Sequence, residues 1–146
     1  MPDRDAALLA LRPSVDADPE AAVSPTERFL HATLRPVLKL QNDVLLALVA
    51  RYVAARVPGF ARFAPDDRDA RLRALLRSDS RLKQTLLGVV YGALTADELA
   101  VALHHDAEVR RRTVALLAER VASQGEAVAL AVHRATSGTD GRDAAL

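Results

Sequence analysis

The stretch Arg35-Pro36-Val37-Leu38-Lys39-Leu40-Gln41-Asn42-Asp43 sets charged and amide side chains inside an apolar run. Gln41 lies seven residues after Leu34 and seven before Leu48, so it falls on an apolar seam. A buried amide there must find partners or cost ~1–3 kcal/mol. Arg35, Lys39 and Asp43 recur at four-residue steps and form a charged stripe beside that seam. Two readings stay open. In one, Gln41 is a structural pin to another helix and the stripe is solvated. In the other, Arg35, Lys39, Gln41 and Asn42 line a small polar pocket where Pro36 frees backbone carbonyls. Arginine offers a planar fork for a carboxylate or phosphate, so the pocket would take a small anionic ligand. Arg110-Arg111-Arg112 spans most of a helical turn and cannot face one way. An inward member of that triplet adds Arg111 and Arg112 to the candidate binding residues.

Other constellations are weaker. His104 and His105 stand beside Asp106 and Glu108, but adjacent helical side chains diverge by about 100° and do not converge on one ion. A helix end with histidines favoured by the dipole is the simpler reading, and no metal site is assigned. No glycine-rich phosphate loop, zinc-protease pair or nucleophile elbow occurs. With no cysteine there is no disulfide, thiol nucleophile or thiolate metal site. Accordingly no catalytic residue and no cofactor is assigned, and enzymatic activity is left open.

The net charge of +1 conceals an uneven distribution. Residues 1–27 carry two basic and six acidic groups, whereas residues 28–134 carry seventeen basic and eleven acidic ones. Such a basic centre attracts anionic partners. Eighteen arginines against two lysines also reflect the codon usage of GC-rich DNA, which lowers the weight of the signal. The chain has only five aromatic residues, too few for stacking platforms, so nucleic acid is disfavoured as a partner.

The elements that must position these residues are helical. Seven prolines and six glycines stand against 29 alanines and 23 leucines, and no alternating apolar pattern suggests a strand. Residues 4–12 predict a short helix, followed by a polar linker over 13–23. Ser24-Pro25-Thr26-Glu27 is a helix start, with serine as cap and proline at the first helical position. Pro36 must kink or restart that helix. The apolar period then carries a helix to about residue 56, ended by Pro58-Gly59. Phe60 and Phe63 follow in a loop tucked onto the bundle. A helix over about 66–77 leads to another, capped by Ser78 or Asp79. From Leu86 onward this one is apolar on every side and reads as the central buried helix, with Gly88 and Gly92 suited to a close helix crossing. Thr95-Ala96-Asp97-Glu98 is a capping box, and Asp106 caps a last helix that ends near Gly125 or continues to His133.

Glu27-Arg28-Phe29 and Thr33-Leu34-Arg35-Pro36-Val37-Leu38-Lys39-Leu40-Gln41-Asn42-Asp43 resemble a group of small helical bacterial proteins with a T-L-R-P-x-L-K-L-Q stretch. Later segments resemble them too: Leu87-Gly88, Gly92, Leu94-Thr95, Glu98, Arg111-Arg112 and Glu119-Arg120. The resemblance covers about 24–124. It implies a shared all-helical fold, and some members carry the label "glyoxalase". Metal-dependent glyoxalases resemble paired β-α-β-β-β modules with ligands on strands, or hydrolases with a histidine-rich binuclear motif. This sequence contains neither signature.

The sequence therefore predicts an all-α protein: one compact bundle of five or six helices with mobile termini. Residues 1–23 form a short helix and linker, 24–134 the helical domain, and 135–146 a mobile tail. With no secretory signal and no apolar run of ~20 residues, a cytoplasmic location and no membrane partner are expected. The expected function is a protein-protein interaction or regulatory module that binds a protein partner or a second copy of itself. The alternative is a small-molecule binder or enzyme using the pocket near Arg35 and Gln41.

Overall fold

Side chains that can satisfy the first amides of a helix decide where several of the helices begin. In the computed structural model, which describes residues 3–15 and 24–142 (backbone alone for 138–142), Asp3 caps α1, Arg4–Leu11. The Ser24 side chain accepts from the Glu27 amide and opens α2, Pro25–Phe29. A π turn, Leu30–Leu34, joins α2 to α3, Arg35–Leu40, and at its end the Arg35 amide reaches back to the Leu30 carbonyl. Pro36 explains the wide turn: its ring would strike the carbonyl four residues earlier in a regular helix and it has no amide to give. The sequence requires a kink at this point, and the π turn supplies it.

The chain turns at Gln41 into α4, Asn42–Arg56. Gly59, at φ 75°, makes the turn into the short 3-10 segment Phe60–Arg62. Phe60 is fully buried there and Phe63 leans on it with ring centroids 5.7 Å apart. Then come α5, Pro65–Ser78, and α6, Ser80–Tyr91, the latter capped by Asp79, which accepts from the Leu82 amide at 3.0 Å. The Tyr52 hydroxyl donates to the other Asp79 oxygen, tying α4 to the start of α6. The expected capping box at Thr95 and Glu98 opens α7, Ala96–His104. α8, Asp106–Ala122, and α9, Gly125–Arg142, complete the chain.

The regular structure of the described residues is helical throughout, with no strand among them. Counting Pro25 to Leu40 as one bent helix, they form eight helices, where the sequence reading expects five or six. One extra helix arises at Ser123 and Gln124. The Ser123 hydroxyl donates to the Arg120 carbonyl at 2.8 Å, and Gly125 opens α9 as a separate helix. α4 packs on α9 and α5 on α8, with α6 touching α4, α5 and α8. Leu45, Val49 and Val53 of α4, Leu72 and Leu76 of α5, and Leu117 of α8 are all at most 1% exposed in the shared core. Residues 16–23 of the expected linker and 143–146 of the expected tail lie outside the described residues.

α6 departs from its expected role. Leu82, Leu86, Leu87 and Val90 are buried, but Gly88 and Gly92 are exposed, so the helix buries one face only. Glycine reads as apolar in a sequence yet has no side chain to bury. Nor does a neighbouring helix cross there: a Cβ at Gly88 would meet nothing within 4 Å. Asp106 does not cap α8 either; it is the first helical residue, and His105 takes the cap position without a side-chain bond. No helix among the described residues is long and apolar enough to cross a membrane.

Candidate anion-binding site

α8 has two populated faces besides its core stripe. Val109, Thr113, Leu117 and Val121 point into the core, and the Thr113 hydroxyl satisfies itself on the Val109 carbonyl at 2.7 Å. Arg112, Leu116 and Arg120 recur at four-residue steps on a second face, toward α2 and α3. Arg111, Val114, Ala115 and Ala118 lie on a third, toward α5 and α6.

On the second face, Arg35, Leu38, Leu116, Arg120, Ser123 and Gln124 line a cleft of about 350 Å3, with Glu119 also on its wall. An adjoining cleft of about 320 Å3 shares Arg35, Leu116 and Glu119 and adds Leu30, His31, Arg111 and Arg112. Arg35 is thus the common wall, presented by the end of the π turn. The Arg120 guanidinium is held below its ordinary pKa, first by burial and then by the charge of Arg35. An amide cluster fixes Arg120 from behind. Asn42 and Gln124 exchange two hydrogen bonds, at 2.9 and 2.8 Å, and Arg120 Nη1 donates to the Asn42 Oδ1 at 3.3 Å. Gln124 Nε2 also donates to the Arg120 carbonyl at 3.1 Å.

The candidate residues named from the sequence are only partly brought together. Arg35 meets Arg111 and Arg112 along one cleft. Arg112 is partnered there by Glu27 at 3.8 Å, and Arg110 leaves in another direction, toward Asp106 at 3.5 Å. Gln41 turns away from the cleft. Its Nε2 donates to the Val89 carbonyl of α6 at 3.1 Å. Lys39 reaches the Ser14 carbonyl at 3.3 Å, on the chain that follows α1. Asn42 enters only as the support behind Arg120. Arg120 and Gln124 are not among the binding residues the sequence suggests, although Arg120 lies eight residues after Arg112 and therefore on the same helix face.

The third face is also cationic. Arg73, Arg77, Arg111, Val114, Ala115 and Ala118 line a groove of about 400 Å3. A second groove of about 300 Å3 continues past Arg111 and Val114 to Lys83, Leu87, Ala107 and Arg110. Arg73 is paired with Asp69 at 2.9 Å, whereas the Arg77 and Arg111 side chains make no hydrogen bond or ion pair among the described residues. The His104 and His105 rings meet edge to face with centroids 4.8 Å apart, and no group of three or more His, Cys, Asp or Glu among the described residues is placed to hold a metal ion.

Comparison with protein-family models, with curated proteins and with solved structures yields no match for this chain.

Proposed function

We propose that the protein is a non-catalytic interaction module whose α5–α8–α6 face receives an acidic amphipathic helix of a partner protein. One observation carries this reading: among the described residues Arg77 and Arg111 have no side-chain partner, and they stand beside a floor of small apolar side chains, Val114, Ala115 and Ala118. A floor of alanines lets a helix backbone approach closely, and flanking guanidiniums select carboxylates on its rim. Lys83 and Arg110 extend the positive field along the adjoining groove. Nucleic acid fits less well. Phe29 and Phe60 are buried, Tyr52, Tyr91 and Phe63 are half-buried, and none lines these grooves, so bases find no stacking surface.

The test is fluorescence anisotropy with a labelled glutamate-, alanine- and leucine-rich amphipathic peptide of about 18 residues, roughly 27 Å of helix. The expected result is saturable binding that falls at least about tenfold in the double variant Arg77→Glu, Arg111→Glu. Binding that is indifferent to both substitutions overturns the reading. So does tighter binding of single-stranded DNA of equal charge.

A further inference from the structure

We infer that the cleft between α3 and α8 is a binding site for a small oxyanion, a carboxylate or phosphate group, gripped between Arg35 and Arg120. The site is separate from the α5–α8–α6 face and does not depend on the docking reading.

Two guanidiniums turned into one cleft repel each other unless negative charge lies between them, and Arg120 also loses hydration by burial. Arg35 makes no hydrogen bond or ion pair among the described residues. Among the described residues Arg120 has a single side-chain partner, the neutral amide oxygen of Asn42 at 3.3 Å. Its remaining N–H groups are left for a ligand. The arrangement is also held in place. The reciprocal Asn42–Gln124 amide pair and the bond from Gln124 to the Arg120 carbonyl fix the α8 side. The π turn before Pro36 fixes the backbone that carries Arg35. Two planar forks on different helices suit an oxyanion with several acceptor atoms. Leu38 and Leu116 supply an apolar wall for whatever carries the anionic group.

Glu119 sets a limit on the ligand. Glu119 lies on the cleft wall, and its negative charge also reaches Arg73 of α5. It disfavours a large or highly charged anion and favours a compact group placed between Arg35 and Arg120. The Glu119→Gln variant should therefore bind more tightly than the parent.

Isothermal titration with inorganic phosphate, and separately with acetate, tests the site at low ionic strength. The expected result is one anion per chain, weakened about tenfold in Arg35→Gln and in Arg120→Gln. Arg62→Gln, on the exposed 3-10 segment away from the clefts, should leave the affinity unchanged. Tighter phosphate assigns a phosphate group and tighter acetate a carboxylate, and both support the site. Arg35 is exposed, so Arg35→Gln should fold and melt no lower than the parent, which keeps the test decisive if Arg120→Gln does not fold. Absence of binding by either anion overturns the inference. So does a stoichiometry above one, or equal weakening by Arg62→Gln.

Discussion

Arg12 and Glu98 meet as a bidentate ion pair between the end of α1 and the first turn of α7, with side chains only 8% and 18% exposed. No residue of α1 is fully buried. The helix is held by its polar ends instead. Arg4 donates to the Gly92 and Leu94 carbonyls at 2.8 and 3.1 Å, Arg12 to the Ala93 carbonyl at 3.2 Å, and the Asp5 carboxylate accepts from the Ala96 amide at 3.1 Å. All of these partners belong to the α6–α7 turn or the α7 start. Glu98 serves both structures, because it also accepts from the Thr95 amide at 2.8 Å.

That double role makes α1 docking sensitive to acid. Burial pushes the Glu98 carboxyl up, but bonds from Arg12 and the Thr95 amide, together with the Arg12 charge, bring it down to about 2. An unfolded glutamate titrates near 4.5, so the stabilisation is complete above that pH and is lost as pH falls toward 2. Glu98→Gln keeps the reach of a capping box while removing the charge. Near neutral pH this variant should be less stable than the parent by on the order of 2–3 kcal/mol, and the gap should close by about pH 2. Chemical denaturation followed by circular dichroism across that range reads it. A gap that does not change with pH would show that the ion pair contributes nothing.

Two glycines should respond to alanine with opposite signs. At Gly59 the backbone sits at φ 75°, where a Cβ is strained, and Gly59→Ala should cost about 1 kcal/mol. Gly88 lies inside α6, exposed, with open space where a Cβ would project. There Gly88→Ala should add ~0.5–1 kcal/mol through helix propensity. Thermal melts of both variants measure the difference, and destabilisation at Gly88 would mean that a partner or second copy packs on that face.

Signals that act within one turn of chain were legible from the sequence. Ser24, Asp79 and the Thr95–Glu98 box each cap a helix through a bond spanning three residues, and those starts appear as expected. The wide turn before Pro36 follows from a missing amide, which is equally local. What escaped depends on contacts between distant segments. The grip of Arg12 on Glu98 spans 86 positions, and the support of Arg120 by Asn42 spans 78. Nothing in the order of residues pairs them. The candidate residues of this stretch do not converge either: Lys39 reaches the Ser14 carbonyl, Asn42 pairs with Gln124, and Arg35 faces Arg120, because α3 and α4 are separated by the turn at Gln41.

The α4 face offers a test of core assignment. Leu45 is 1% exposed and sits in the shared core, whereas Leu103 on α7 is 55% exposed. Leu45→Ala should lower stability by ~2–5 kcal/mol through the cavity it leaves. Leu103→Ala should change it by less than about 0.5 kcal/mol. Urea unfolding gives both values, and a Leu45 effect as small as that of Leu103 would remove α4 from the core.

Gln41 separates a structural pin from a ligand contact. In a continuing helix the Ala93 amide would close on the Val89 carbonyl, but it turns to the Val90 carbonyl at 3.1 Å, so the side chain of Gln41 takes the freed oxygen. Gln41→Ala removes that donor at the end of α6 and should cost ~0.5–1.5 kcal/mol. Because the Gln41 amide is committed to α6 and does not line the Arg35–Arg120 cleft, the same variant should bind phosphate as the parent does. Parallel melting and titration of Gln41→Ala separate the two roles. Lost stability with unchanged affinity identifies a pin, while unchanged stability with an affinity lowered about tenfold would move Gln41 into the anion site.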